Sequence, residues 1–182
     1  MLDLVLAAAA LSASPALSSG APVVSIGNSY AESCYEAAEA RLATSETVAI
    51  CNAAVGSVVS DHDRVASFVN RGILSLVRGR YAEAETDFDA ALRLQPRQAE
   101  AWLNKGISLY QRGQDDAALT HLGRAIELNT RRPAVAFYAR AMANEQTGNL
   151  RAAYQDLNRA QALAPSWNVP KAELARYQVR AR

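Results

Sequence analysis

The chain has 182 residues and a net charge of +1, and half of its residues are hydrophobic although only 7% are aromatic. This length is enough for one domain with a proper core, and an apolar content supplied largely by alanine favours packed helices over a sheet. The charge argues against nucleic-acid binding, because the mild basic excess of residues 61–182 is too diffuse to form a phosphate-binding stripe.

The amino terminus has the order of a targeting segment. Residues 2–11 are apolar except for Asp3, and small residues with a proline follow at 12–16. Secretory signals show this order, so we predict a signal peptide over 1–19, a linker over 20–29 and a periplasmic or secreted protein. Asp3 has the wrong sign for a signal, and no Lys or Arg precedes the apolar run, which leaves open a cytosolic protein with a disordered leader. The run is too short for a membrane span, which needs about 20 apolar residues.

A helical hairpin is predicted over residues 30–58. The pattern breaks at Thr44, and Ser45 can cap a second helix. The two cysteines of the chain, Cys34 and Cys51, lie on the two antiparallel helices of this hairpin. In an exported chain an even cysteine count indicates a disulfide, and we predict a Cys34–Cys51 bond. Two buried free thiols are the alternative.

Three copies of one pattern follow over residues 61–167, at a spacing of 34 to 35 residues. Each copy has a first helix, a turn that contains glycine, and a second helix. The residues in register are Gly79, Gly113 and Gly148, then Ala84, Ala118 and Ala153, then Ala91, Ala125 and Ala160. A period of this size is typical of stacked helical hairpins, so we predict an all-α helical-hairpin solenoid, with a capping helix and basic tail over 168–182.

This pattern resembles the tetratricopeptide repeat family, which favours a large residue at the fourth place, a small one at the eighth and a large one at the twenty-fourth. The matching residues are Phe68, Trp102 and Phe137, then Gly72, Gly106 and Ala141, then Phe88, Leu122 and Leu157. We expect the eighth place to face the alanine of the twentieth place, where the two helices come closest. The seventh place departs from the family pattern with Arg71, Lys105 and Arg140, which is expected to weaken the packing slightly. The leader and the cysteine hairpin add a similarity to exported bacterial members.

The resemblance implies that the first helices line a concave groove for a partner. Carried onto this sequence, the predicted groove residues are Val69, Ile73, Leu76, Leu103, Ile107, Tyr110, Tyr138, Met142 and Glu145. Most of them are large and apolar, which favours a protein or peptide partner with an apolar or amphipathic segment. Two alternatives remain: the last helix folds back over these residues, or a second copy closes the groove in a homo-oligomer.

Catalytic, cofactor and metal sites are not predicted. His62, between Asp61 and Asp63, fits a helix start better than a metal site, because neighbouring side chains diverge. His121 occupies the repeat place that holds Asp87 and Asp156 in the other copies, and three polar residues at one place indicate a solvent-facing position. The sequence therefore predicts a non-enzymatic scaffold or adaptor and does not identify its partner.

Overall fold

A computed structural model describes residues 29–57 and 60–177, and the regular elements within these ranges are all α-helices. They are α1 (Ser29–Glu39), α2 (Ser45–Gly56), α3 (Asp61–Val77), α4 (Tyr81–Leu94), α5 (Ala99–Gln111), α6 (Asp115–Glu127), α7 (Pro133–Gln146), α8 (Leu150–Leu163) and α9 (Asn168–Leu174). The predicted signal peptide lies outside the described residues. Among the described helices, none has the length and apolar character that a membrane span requires.

The helices stack as hairpins, which confirms the predicted all-α fold. Helices α3 and α4, α5 and α6, and α7 and α8 form the three repeats, and the second helix of each repeat packs on the first helix of the next element. The amino-terminal hairpin of α1 and α2 packs on α3 through both of its helices. The main core extends from α5 to α9, and smaller clusters lie beneath the amino-terminal hairpin and within the first repeat.

Glycine ends the first helix of every repeat by taking a left-handed conformation. The φ angles of Gly79, Gly113 and Gly148 are 71°, 72° and 78°. The residue after each glycine donates its N–H to a carbonyl five residues earlier, as Arg80 does to Ser75 at 2.9 Å. Because a side chain at positive φ is strained, glycine recurs at the turn of each repeat.

Small residues at the eighth place allow the two helices of a repeat to approach closely. A Cβ atom on Gly72 would lie 2.5 Å from Cε1 of Phe88, and one on Gly106 would lie 2.7 Å from Cγ of Leu122. The nearest neighbours thus belong to the twenty-fourth place, and the expected contact with the twentieth place stays a prediction. The large side chain at the twenty-fourth place packs directly against the eighth place, which explains why the residue at the eighth place is small.

Buried ion pairs correct two sequence interpretations. Asp87 and Asp156 are buried rather than solvent-facing, and Arg71 and Arg140 of the seventh place bind them. Arg140 donates from Nε and Nη2 to Asp156 at 2.8 and 2.7 Å, and Asn144 adds a third hydrogen bond. The arginines therefore join the two helices of their repeats instead of weakening them. The repeat pattern did not predict these ion pairs, because it gives the residue type at each place and not the contact between the arginine and aspartate places.

The middle repeat lacks this pair and uses other contacts. Lys105 reaches Asp89 of the preceding repeat at 2.6 Å, and the ring of His121 lies 5.1 Å from that of Trp102. His121 is half-buried, and its Nδ1 lies 2.8 Å from the carbonyl oxygen of Ala117. His121 therefore packs against its neighbours and does not occupy the open, solvent-facing position that the sequence predicts.

Cys34 and Cys51 are both fully buried in the amino-terminal hairpin. Their Cα atoms are 4.8 Å apart, and their sulfur atoms lie at bonding distance. The two antiparallel helices of the hairpin therefore bring the cysteines together.

Candidate functional site

Six of the nine predicted groove residues are buried, so the expectation of an open apolar groove was wrong for them. The exposed fractions of Val69, Leu103 and Tyr138 are 5%, 1% and 3%. Leu76, Ile107 and Met142 are also buried. Ile73, Tyr110 and Glu145 are half-buried. The side chains pack between neighbouring first helices and beneath the two ends of the chain.

The carboxyl-terminal segment covers the third repeat, as in the fold-back alternative. The Tyr138 ring packs edge-on against Trp167, with the ring centres 5.0 Å apart. Glu145 accepts hydrogen bonds from Nη2 of Arg176 at 2.7 Å and from the Tyr177 hydroxyl at 3.3 Å. The predicted groove residue Glu145 is therefore occupied by the chain's own carboxyl-terminal end.

Tyr110 lies at the edge of this covered region. Burial raises its pKa, and the nearby carboxylates of Asp115, Glu145 and Glu173 raise it further. Because a phenolate would be disfavoured here, the hydroxyl remains protonated at neutral pH. The acidic surroundings make this edge unsuitable for an anionic partner group.

The amino-terminal hairpin covers the predicted groove residues at the first repeat. Ile73 packs against the hairpin cluster that contains Cys34 and Cys51, and Leu74 belongs to that cluster. The end of α1 extends farther along the stack, because Glu39 accepts a hydrogen bond from Nη2 of Arg132 at 2.6 Å. Arg132 immediately precedes α7, so α1 joins the first and third repeats.

This junction carries an exposed surface that we call the rim, formed by Tyr35, Arg41, Leu42, Arg131 and Arg132. Tyr35 and Leu42 are 44% and 53% exposed. Arg131 is exposed, and its backbone N–H donates to Glu100 at 2.7 Å. Among the described residues, Glu39 accepts a hydrogen bond from Arg132 of the rim, and Glu100 accepts one from Arg131. The rim therefore combines apolar side chains with an excess of guanidinium groups.

Arg41 is the most unusual residue of the rim. It is a non-glycine residue with a φ of 52°, two residues after the end of α1. Burial and the neighbouring charge of Arg132 lower its pKa to about 10, and Glu39 opposes this shift. Among the described residues its guanidinium has no hydrogen-bond partner. Arg41 is thus a charged group at neutral pH, partly withdrawn from water and without a bound carboxylate.

Sequence reasoning did not select any rim residue. The rim joins α1 to the loop before α7, and these segments are about 90 residues apart. One signal was present, because Arg41 is the single basic residue among residues 1–60. The repeat pattern could not indicate its location, since the amino-terminal hairpin lies outside the repeats.

The histidines do not form a metal site. His62 is exposed, and its Nδ1 lies 3.6 Å from Asp63. Within residues 29–57 and 60–177 no group of three or more histidine, cysteine or acidic residues is arranged to hold a metal ion.

Comparisons with known proteins give the same repeat architecture. Two sequence profiles, each described as tetratricopeptide repeat, match residues 69–133 and 134–166 and together cover more than half of the chain. No curated protein matches the chain.

Several solved structures are similar in fold. The first TPR of Spaghetti (RPAP3), bound to an HSP90 peptide, is 21% identical with a TM-score of 0.60, covering 66% of this chain and 94% of its own. MamA from Desulfovibrio magneticus RS-1 is 21% identical with a TM-score of 0.59, and the coverages are 81% and 89%. A chain of the CopN–Scc3 complex is 22% identical with a TM-score of 0.55, and the coverages are 65% and 70%.

Proposed function

The chain belongs to the tetratricopeptide repeat family, and on this basis we propose that it is a non-catalytic scaffold or adaptor that binds a partner protein in an exported compartment. Proteins built from this repeat are generally non-catalytic interaction modules. The peptide-bound RPAP3 repeat and the CopN–Scc3 complex support this class of function. The fold alone does not select a binding surface, so the exposure and charge of individual residues distinguish the candidate surfaces.

The rim supports partner binding better than the buried groove does. Arg41 is the main reason. A carboxylate should stabilise its half-buried guanidinium, which lies beside Arg132, more than it would stabilise a fully hydrated guanidinium. Tyr35 and Leu42 supply exposed apolar area at the same junction. The partner segment is therefore amphipathic and acidic, with its carboxylate at Arg41 and its apolar side chains on Tyr35 and Leu42.

Export is the second part of the proposal. The apolar leader and the Cys34–Cys51 pair support it, because disulfides persist in oxidising compartments. Fractionation of the producing cells tests the compartment directly. Recovery of the full-length chain in the cytosolic fraction, with two reactive thiols, would favour the cytosolic alternative.

The rim is tested by partner capture. Arg41→Ala combined with Arg131→Ala should reduce capture from an envelope extract by about tenfold or more, because a charge-assisted hydrogen bond contributes about 1.5–3 kcal/mol. The matched control is Arg93→Ala combined with Arg97→Ala, two exposed arginines near the end of α4. Equal loss in both variants would indicate nonspecific charge, and no loss in either would reject the rim.

A second candidate is the originally predicted groove, with an apolar or amphipathic peptide in place of the carboxyl-terminal segment. The observation that favours it is the contact of Glu145 with Arg176 and Tyr177, which a competing segment could replace. Removing this contact with Arg176→Ala should then strengthen partner capture. Unchanged capture by Arg176→Ala, with loss in the rim variant, would exclude the groove.

A further inference from the structure

The last repeat exposes apolar side chains at places that the earlier repeats cover. Leu150 and Tyr154, at the seventeenth and twenty-first places, are 56% and 38% exposed on α8. In the first repeat the twenty-first place is Glu85, which accepts hydrogen bonds from Ser108 and Arg112 of the following helix, each at 2.9 Å. The seventeenth and twenty-first places of a repeat therefore form the surface on which the first helix of the following repeat packs. We call this surface the seat.

Of the described residues after α8, the capping helix fills only part of this seat. Helix α9 has 7 residues, whereas the first helices α5 and α7 have 13 and 14. By repeat position, Tyr177 and Ala181 correspond to Ser108 and Arg112. The Tyr177 ring does contact Tyr154, with the ring centres 5.8 Å apart. Ala181 lies outside the described residues.

Charge indicates what completes the seat. Residues 150–177 hold four basic and two acidic residues, a net charge of +2. Both acids are paired, Asp156 with Arg140 and Glu173 with Arg176. The exposed basic residues of this segment outside these pairs are therefore Arg151, which adjoins Leu150, Arg159 and Lys171.

The opposite end of the molecule has the complementary charge. Residues 29–57 hold four acidic residues and one basic residue, a net charge of −3. Glu32 and Glu36 lie one turn apart and are exposed on the side of α1 that faces away from its buried residues. Tyr30, next to this acidic ridge, is 51% exposed.

We propose that the carboxyl-terminal end of the stack, at Leu150, Arg151 and Tyr154, binds the amino-terminal hairpin of a second copy of this chain through Glu32 and Glu36. The two surfaces differ, so the contact is head-to-tail and each added copy presents a new end. This contact uses Glu32 and Glu36 within α1, whereas the partner surface proposed above centres on Arg41 and Leu42 beyond the end of that helix.

Sedimentation of the purified protein from micromolar to millimolar concentration tests this inference. The average mass should rise beyond two chains as concentration increases, and added salt should lower it. Arg151→Glu should weaken association by about tenfold, and Glu32→Lys combined with Glu36→Lys should do the same. Mixing the two variants should restore association, because their reversed charges are again complementary. Leu94→Ser is the control, since Leu94 is 44% exposed on α4 and lies outside both surfaces.

Three results would overturn the inference. The first is a mass of one chain at every concentration, and the second is a closed dimer that does not grow. The third is association only after removal of residues 178–182, which would show that the chain's own tail completes the seat.

Discussion

Arg71 and Asp87 join the two helices of the first repeat through two charge-assisted hydrogen bonds, of 2.9 Å from Nε and 2.6 Å from Nη2. The same arginine also donates to Asn52 of the amino-terminal hairpin at 3.0 Å. It therefore ties together three consecutive helices, α2, α3 and α4. Its counterpart Arg140 forms the equivalent pair with Asp156 two repeats later.

Removal of one partner should reveal how much this pair contributes. Asp87→Ala should lower the free energy of unfolding by about 2 kcal/mol, because it leaves the half-buried Arg71 guanidinium without its carboxylate. Asp89→Ala is the matched control, since Asp89 is more exposed and its pair with Lys105 should contribute less than about 1 kcal/mol. Urea unfolding of both variants measures the difference. Equal losses would mean that burial of the Asp87 pair has no special role.

The effect on stability of a larger residue at the eighth place should depend on the residue at the twenty-fourth place. Gly72→Ala should destabilise the protein, because overpacking against the buried Phe88 ring costs about 1–3 kcal/mol and exceeds the gain of about 1 kcal/mol from helix propensity. In a Phe88→Leu background the same change should be less destabilising, because leucine is smaller than phenylalanine, although the close approach of Gly106 to Leu122 shows that leucine still leaves little room. The third repeat already combines Ala141 with Leu157, both fully buried.

Thermal unfolding of the four proteins in this cycle measures the coupling between the two sites. If Gly72→Ala has the same effect in both backgrounds, the close approach of α3 and α4 is not limited by the Phe88 ring.

Arg41 should be unfavourable for stability. Arg41→Gly should raise the free energy of unfolding by about 1 kcal/mol, because it removes a left-handed non-glycine residue and a charge beside Arg132. The same variant should capture less partner. Arg78→Gly is the control: Arg78 also lies just after a helix, but its φ is −84°, so glycine there should be neutral or destabilising. A destabilised Arg41→Gly protein would contradict the proposed strain.

The cysteine pair should be oxidised in the purified protein. We expect no reactive thiol in protein purified without reductant, and a loss of about 3 kcal/mol on reduction according to the chain-entropy estimate. Thiol titration and urea unfolding with and without reductant measure these two effects. The Cys34→Ala, Cys51→Ala double variant should not respond to reductant. Two reactive thiols in the purified protein would contradict the bond.

The repeat architecture was predictable because it depends on local spacing. A positive φ is required at Gly79, two residues after the end of α3, and a small residue is required at Gly72, opposite Phe88. Both requirements recur in each copy, so one period of the sequence contains them. The buried state of Asp87 was not predictable in the same way, because it depends on Arg71 16 residues earlier rather than on its own position.

The predicted groove shows the limit of a repeat pattern. The pattern correctly selected the first helices as the inner layer, but it did not show what covers them. Tyr138 packs against Trp167, and Ile73 packs against the amino-terminal hairpin, so the covering residues come from outside the three copies. The burial of a side chain depends on every segment that reaches it.

The amino-acid sequence by itself determined the stacked helical hairpins, since the size of each recurring side chain acts on a neighbour only a few turns away. Tertiary structure alone decided which surfaces remain open. Glu39 meets Arg132 across 93 residues of chain, and this contact creates the rim around Arg41. No period within the sequence records such a contact, because it arises from how the amino-terminal hairpin, which lies outside the repeats, packs against the stack.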